Sequence, residues 1–186
     1  MRRYCWIGLL VMSLASRVLA EDPLPTPLAG SWRYDADRST DLSGWISLEL
    51  VIAVDGPRVT LTRHYAAGRR TFDDVEAIDL SKTVNVVTAH AWLDNRHIGF
   101  YLGGDKTKKI KFRVLNEGRL LRTSADLVLA TQQGERAVNV LRNYKVSSNG
   151  LQLTLTELRS SRDDPIIYVF RRVTDAGSVP DKALVN

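Results

Sequence analysis

The residues of this 186-residue chain that could do chemistry are few: one cysteine, three histidines and one dense cluster of carboxylates. Cys5 lies within the first 20 residues, which read as a signal segment, so a chain processed after them has no thiol for a disulfide, a metal or a nucleophile. His64 falls on the polar side of the alternating run Val59–His64 and reads as solvent-facing. His90 and His97 flank Asp94-Asn95; a two-residue turn there sets His97 opposite Trp92, with His90 diagonally across on the same face. Zinc takes three or four ligands in tetrahedral array, and the spacing supplies no third, so no metal site is expected.

Nucleophilic and acid–base chemistry fare no better. There is no Gly-x-Ser-x-Gly elbow, and serines such as Ser124 have no base mapped to them. Asp73, Asp74, Glu76 and Asp79 are close enough in sequence for a paired-carboxylate site, but they read as a solvated acidic loop. Gly103-Gly104-Asp105 lacks the Lys-Ser/Thr of a phosphate loop and reads as a turn. No catalytic residue and no cofactor is expected, and the chain reads as non-enzymatic.

The ends bound what remains. Arg2 and Arg3, the apolar run Trp6–Leu14 and the small-residue site Val18-Leu19-Ala20 form a signal peptide over residues 1–20, with Glu21 as the mature N-terminus. The apolar run is too short to span a bilayer as a helix, which needs about 20 residues, so stable membrane insertion is not expected. The protein is expected to be exported, to a periplasmic or extracellular destination. Pro23, Pro25 and Pro27 make residues 21–29 an extended leader, and residues 174–186, with Gly177 and Pro180, a loose tail.

Charge excludes one partner class. The chain carries 26 basic and 21 acidic residues, and loss of Arg2, Arg3 and Arg17 with the signal leaves 23 against 21. The one basic cluster, Lys106, Lys108, Lys109 and Lys111, has no interleaved aromatics and reads as a solvated turn and strand face; nucleic acid is not an expected partner.

From Trp32 onward the dominant period is two. Ile46–Ile52 and Val59–Tyr65 flank Asp55-Gly56; a type I′ loop there pairs Ile52 with Val59, Leu50 with Leu61, Leu48 with Arg63 and Ile46 with Tyr65. Asn149-Gly150 pairs Val146 with Leu153, Tyr144 with Leu155 and Arg142 with Glu157 by the same count. Each hairpin separates an apolar face from a polar one, as half-buried antiparallel strands do. Further strands are expected over 83–93, 97–102, 109–115, 119–130, 137–146 and 166–172. The segment 69–80 reads as irregular chain or a short helix, because its acids fall on both faces. The count, about ten, is even, so the last strand returns to the first: Arg172 arrives beside Trp32, where a guanidinium stacks on an indole. One all-β domain over residues 30–173 is predicted, an antiparallel up-and-down barrel of about 8–10 strands.

Gly30-Ser31-Trp32 on the first strand and Tyr168-Val169-Phe170-Arg171-Arg172 on the last resemble the lipocalin-like branch of the calycin barrels, and most of all the secreted bacterial lipocalin-like proteins. The resemblance assigns Gly30, Trp32, Phe170 and Arg172 to closure of the barrel. It implies an exported carrier or sensor of a small apolar or amphipathic molecule. The chain departs from the better-known lipocalins in lacking a disulfide and a long C-terminal helix, and in having more than eight strands.

Register puts Arg63, Tyr65, Tyr101, Arg142, Tyr144 and Glu157 on the inward face towards the end away from the Asp55-Gly56 and Asn149-Gly150 turns. Charges there must pair or meet water and a ligand, because a dry unpaired charge is too costly. Two readings stay open: a pocket with apolar walls and an Arg/Tyr rim, suited to a small ligand with an anionic or hydroxylated head, or a filled lumen in a protein-interaction module. An exposed aromatic patch including Trp45 would favour the second.

Overall fold

The computed structural model describes residues 27–93 and 101–174. Eleven strands form one antiparallel, nearly closed barrel: β1 (Gly30–Tyr34), β2 (Ser47–Asp55), β3 (Arg58–Ala67), β4 (Arg70–Asp79), β5 (Asn85–Thr88), β6 (Tyr101–Leu102), β7 (Thr107–Leu115), β8 (Leu120–Thr131), β9 (Gly134–Val146), β10 (Gln152–Arg159) and β11 (Arg162–Arg172). The order around the sheet is β4-β3-β2-β1-β11-β10-β9-β8-β7-β5, with β6 paired to the far end of β8. The only helical element among the described residues is a 3-10 turn at Ala36–Arg38.

Closure occurs where the first and last strands meet. Trp32 pairs with Arg172 across β1 and β11, and the Arg172 guanidinium lies 4.1 Å over the Trp32 ring. Trp32 is wholly buried, and its Nε1 donates to the carbonyl of Leu28 at 2.9 Å. Arg172 donates from Nη1 to Ala29 O (2.8 Å), from Nε to Gly150 O (2.7 Å) and from Nη2 to Pro27 O. Residues 27–29 therefore belong to the closed end, and Leu28 is core rather than leader. To reach those carbonyls Arg172 crosses Gly30, whose φ is +124° and whose absent Cβ would stand 2.8 Å from Arg172 Nη1. Gly30→Ala should therefore lower stability by about 1–3 kcal/mol, read as a fall in the thermal midpoint.

The two hairpins differ in how they obey the sequence count. At Asn149-Gly150 the observed pairs are Val146–Leu153, Tyr144–Leu155 and Arg142–Glu157, as expected. At the other, Asp55 pairs with Arg58, so the loop is Gly56-Pro57 and the register shifts by two: Leu50 faces Arg63 and Leu48 faces Tyr65. Gly56 takes φ +52°. A positive φ followed by the fixed negative φ of proline suits a type II′ turn, not the type I′ turn expected. A slip of two leaves every side chain on its original face.

The segment expected to be irregular or helical is instead strand β4, fully paired to β3 from Arg58–Asp79 to Ala67–Arg70. Its burial alternates strictly: Asp74, Glu76 and Ile78 point in, while Asp73 and Val75 point out. Period two is present in burial but absent from hydropathy, because acids occupy inward positions. The segment expected as a strand over 83–93 is strand only at Asn85–Thr88; Asp94, Asn95 and His97 lie outside the described residues, as do the signal peptide and most of the tail.

No backbone ladder between β4 and β5 is observed. The Asn85 side chain joins them, its Oδ1 accepting from Asp79 N (2.9 Å) and its Nδ2 donating to Asp79 O (3.2 Å). The lumen beside Trp32 is packed solid by Leu48, Leu50, Ile52, Leu61, Tyr144, Leu153 and Phe170.

Candidate functional site

Beyond that apolar plug the barrel interior changes character. Arg63 on β3, Asp74 and Glu76 on β4, Lys108 on β7, Arg142 on β9, and Glu157 and Arg159 on β10 all project inward and form one ionic cluster. Glu76 is its hub, with a side chain 1% exposed. Its carboxylate lies 2.7 Å from Arg63 Nη2, 2.8 Å from Lys108 Nζ and 3.2 Å from Arg142 Nη1. Asp74 adds contacts to Arg63 (3.1 Å) and Lys108 (3.4 Å). Glu157 accepts from Arg142 Nε at 2.6 Å and from Arg159 Nε at 2.5 Å.

Of the sequence candidates, Arg63, Arg142, Tyr144 and Glu157 come together here, with Tyr65 at the cavity edge. Tyr144 is wholly buried and its hydroxyl accepts from Arg63 Nη1 at 2.9 Å. Tyr101 does not join them. It pairs with Ala130 at the end of β8 and is 72% exposed, so its expected inward placement is corrected. That placement assumed pairing with the segment 83–93, whereas Tyr101 and Leu102 pair with β8.

The cluster also contains residues the sequence reading placed in solvent. Asp74 and Glu76 were expected in a solvated acidic loop and are buried. Lys108 was expected on an exposed face and is 6% exposed, because it sits at an inward position of β7 between Thr107 and Lys109. A signal for them did exist: inward Arg63 and Arg142 outnumber Glu157, and buried cations require counter-charges. By contrast His64 behaves as expected, half-exposed on the outer face with Nδ1 2.7 Å from Asp73.

Each ionisation state follows from its neighbours. Burial alone would raise the Glu157 carboxyl, but Arg142 and then Arg159 hold it down at about 2. Burial opposes Glu76 in the same way, and Arg63, Arg142 and Lys108 together hold it far below the ordinary carboxylate range. Burial pushes the Tyr144 phenol above its ordinary value, which keeps it neutral. Among the described residues the cluster sets four cationic side chains, Arg63, Lys108, Arg142 and Arg159, against three carboxylates, Asp74, Glu76 and Glu157.

A cavity of about 60 Å³ opens beside the cluster, at the end of the barrel away from Asn149-Gly150. Its polar wall is Asp74, Lys108, Arg142, Glu157 and Arg159; its apolar wall is Leu42, Trp92, Leu127 and Val140. Arg159 stacks on the Trp92 ring at 4.6 Å. The Trp92 Nε1 is buried without a hydrogen-bond partner, as is Arg63 Nε. Trp45, the residue named for an exterior aromatic patch, is only partly exposed; it packs on Tyr65 with ring centroids 5.5 Å apart, under the Arg70 guanidinium. Among the described residues no group of three or more His, Cys, Asp or Glu side chains could hold a metal ion.

No protein-family model and no curated protein matches the chain. Among solved structures it is similar to a mutant of the REP1-NXSQ fatty acid transporter, at 11% identity and a TM-score of 0.39, over 78% of this chain and 98% of that one. The likeness is too distant to carry a ligand across.

The geometry sets its own limits on what can bind. About 60 Å³ holds a few waters or a small head group, well below the several hundred Å³ that encloses a drug-sized ligand. What enters must be small, or must leave its apolar part at the Leu42–Trp92 rim.

Proposed function

We propose that this protein is an exported, lipocalin-like, non-catalytic barrel that binds a small amphipathic molecule by its head group. One observation carries the reading: a buried cluster of charged side chains lines one wall of a cavity whose other wall is apolar. An anionic or hydroxylated head group would meet the cationic side chains of Lys108 and Arg142, while Leu42, Trp92, Leu127 and Val140 receive the adjoining apolar atoms. The lipocalin-like assignment is supported by the Trp32–Arg172 closure and the nearly closed antiparallel barrel.

A second reading, an interaction module with a filled lumen, is favoured by the solid packing around Trp32 and by the cavity's small size. Calorimetry and native mass spectrometry with a medium-chain carboxylate and the alcohol of equal length separate the two. The binding reading expects a one-to-one complex, weakened at least about tenfold by Val140→Phe, which fills the apolar wall. Absence of any complex, in a protein purified without a bound molecule, would favour the interaction module.

A further inference from the structure

The outer surface of the barrel is electrically polarised. On β7 the outward positions are Lys109, Lys111 and Arg113, all exposed and alternating with inward Ile110 and Phe112. Arg122 on β8 stands directly opposite Arg113, and Lys145 on β9 lies one row further along, opposite Leu120. Strand spacing puts neighbouring members of this set roughly 5–7 Å apart. The one acid at the outward positions of these rows, Asp126, opposite Lys109, is engaged by Asn139 Nδ2 at 2.7 Å. The far side of the ring, β2–β4, has Glu49, Asp55, Asp73 and Asp79 at outward positions, with Arg58 opposite Asp55 and Asp79, and Lys82 3.6 Å from Asp79.

Like charges directly opposite on adjacent strands cost stability, so the Arg113–Arg122 pair is unfavourable for the isolated barrel. An anionic partner would turn that cost into attraction. The partner's chemistry follows from what surrounds the cations. The exposed apolar side chains beside them are aliphatic, Val86 and Leu115, and no aromatic ring stands at these outward positions to stack on a base. We propose that the β7–β8–β9 face docks on an anionic lipid surface, with Lys109, Lys111, Arg113, Arg122 and Lys145 against lipid phosphates and the acidic β2–β4 face turned away. This is peripheral contact, with no strand inserted into the bilayer. It is independent of what the interior cavity binds.

Co-sedimentation of the whole protein with phosphatidylcholine vesicles containing about a third phosphatidylglycerol tests it. Each cation near such a surface strengthens binding about fivefold, so Lys109→Glu/Lys111→Glu/Arg113→Glu should weaken binding by at least about 100-fold. The charge-conserving Lys109→Arg/Lys111→Arg should bind as the unaltered protein does, and raised salt should release both. Should the reversed-charge protein fail to fold by circular dichroism, Lys111→Gln/Arg113→Gln replaces it, with a loss of about 25-fold expected. Equal binding to pure phosphatidylcholine, undiminished binding by a folded charge variant, or no binding to either vesicle would overturn the proposal. Tighter capture by duplex DNA than by anionic vesicles at the same salt would overturn it too, by assigning the face to a polynucleotide.

Discussion

Glu76→Gln is expected to destabilise the barrel by about 3–5 kcal/mol, the cost of breaking a buried ion pair from one side. The substitution is nearly isosteric, so packing hardly changes; what changes is charge. Arg63, Lys108 and Arg142 all converge on this carboxylate. Without it, Asp74 and Glu157 are the carboxylates left in the cluster among the described residues. Lys108→Met should cost much less, because Glu76 keeps Arg63 and Arg142 as partners and Asp74 keeps Arg63. Urea unfolding followed by circular dichroism measures both. A Glu76→Gln midpoint equal to that of the unaltered protein would mean that the cluster is hydrated and interchangeable, and the contrast with Lys108→Met would vanish.

Acid should act on the same cluster. The Glu157 carboxyl titrates near 2 in the fold, against an ordinary 4.5, and Glu76 is held lower in the same direction. Between those values the unfolded chain binds the proton that the folded chain refuses, so stability rises with pH through this window. The contribution is fully present above about pH 4.5 and is lost as pH falls towards 2 and below. For Glu157 alone this is on the order of 3 kcal/mol. Unfolding free energies measured from pH 6 down to 2 should fall accordingly, and Glu157→Gln should flatten the slope. A profile equally steep in that variant would place the responsible carboxylates elsewhere.

The sequence was legible wherever polarity and burial agreed. At the Asn149-Gly150 end of β9 and β10 they agree: Tyr144, Val146, Leu153 and Leu155 point in, and Lys145 points out. Trp32 and Arg172 stack as expected, although the even strand count from which their meeting was argued left out β4. Legibility failed where charge was buried. In β4, Asp74 and Glu76 sit where an apolar residue would mark the inward face, so the alternation vanished from the hydropathy although the backbone keeps it. The same inversion hid Lys108 among lysines that do face water. Arg63 was placed on the right face at the wrong level, because Pro57 rather than Asp55 occupies the turn and a slip of two does not alter parity. The candidate site was therefore half visible: its residues from apolar strands were found, and those that balance them electrically were missed.

The junction between β4 and β5 has a consequence for how this barrel comes apart. Elsewhere around the ring, neighbouring strands share continuous ladders, but here cohesion rests on the amide of Asn85 and on the Lys108 ammonium reaching Asp74 and Glu76. Side-chain bridges of this kind yield one at a time, whereas ladders fail together. Local opening is therefore expected to start along this seam, with the wall held by Trp32 and Arg172 opening last.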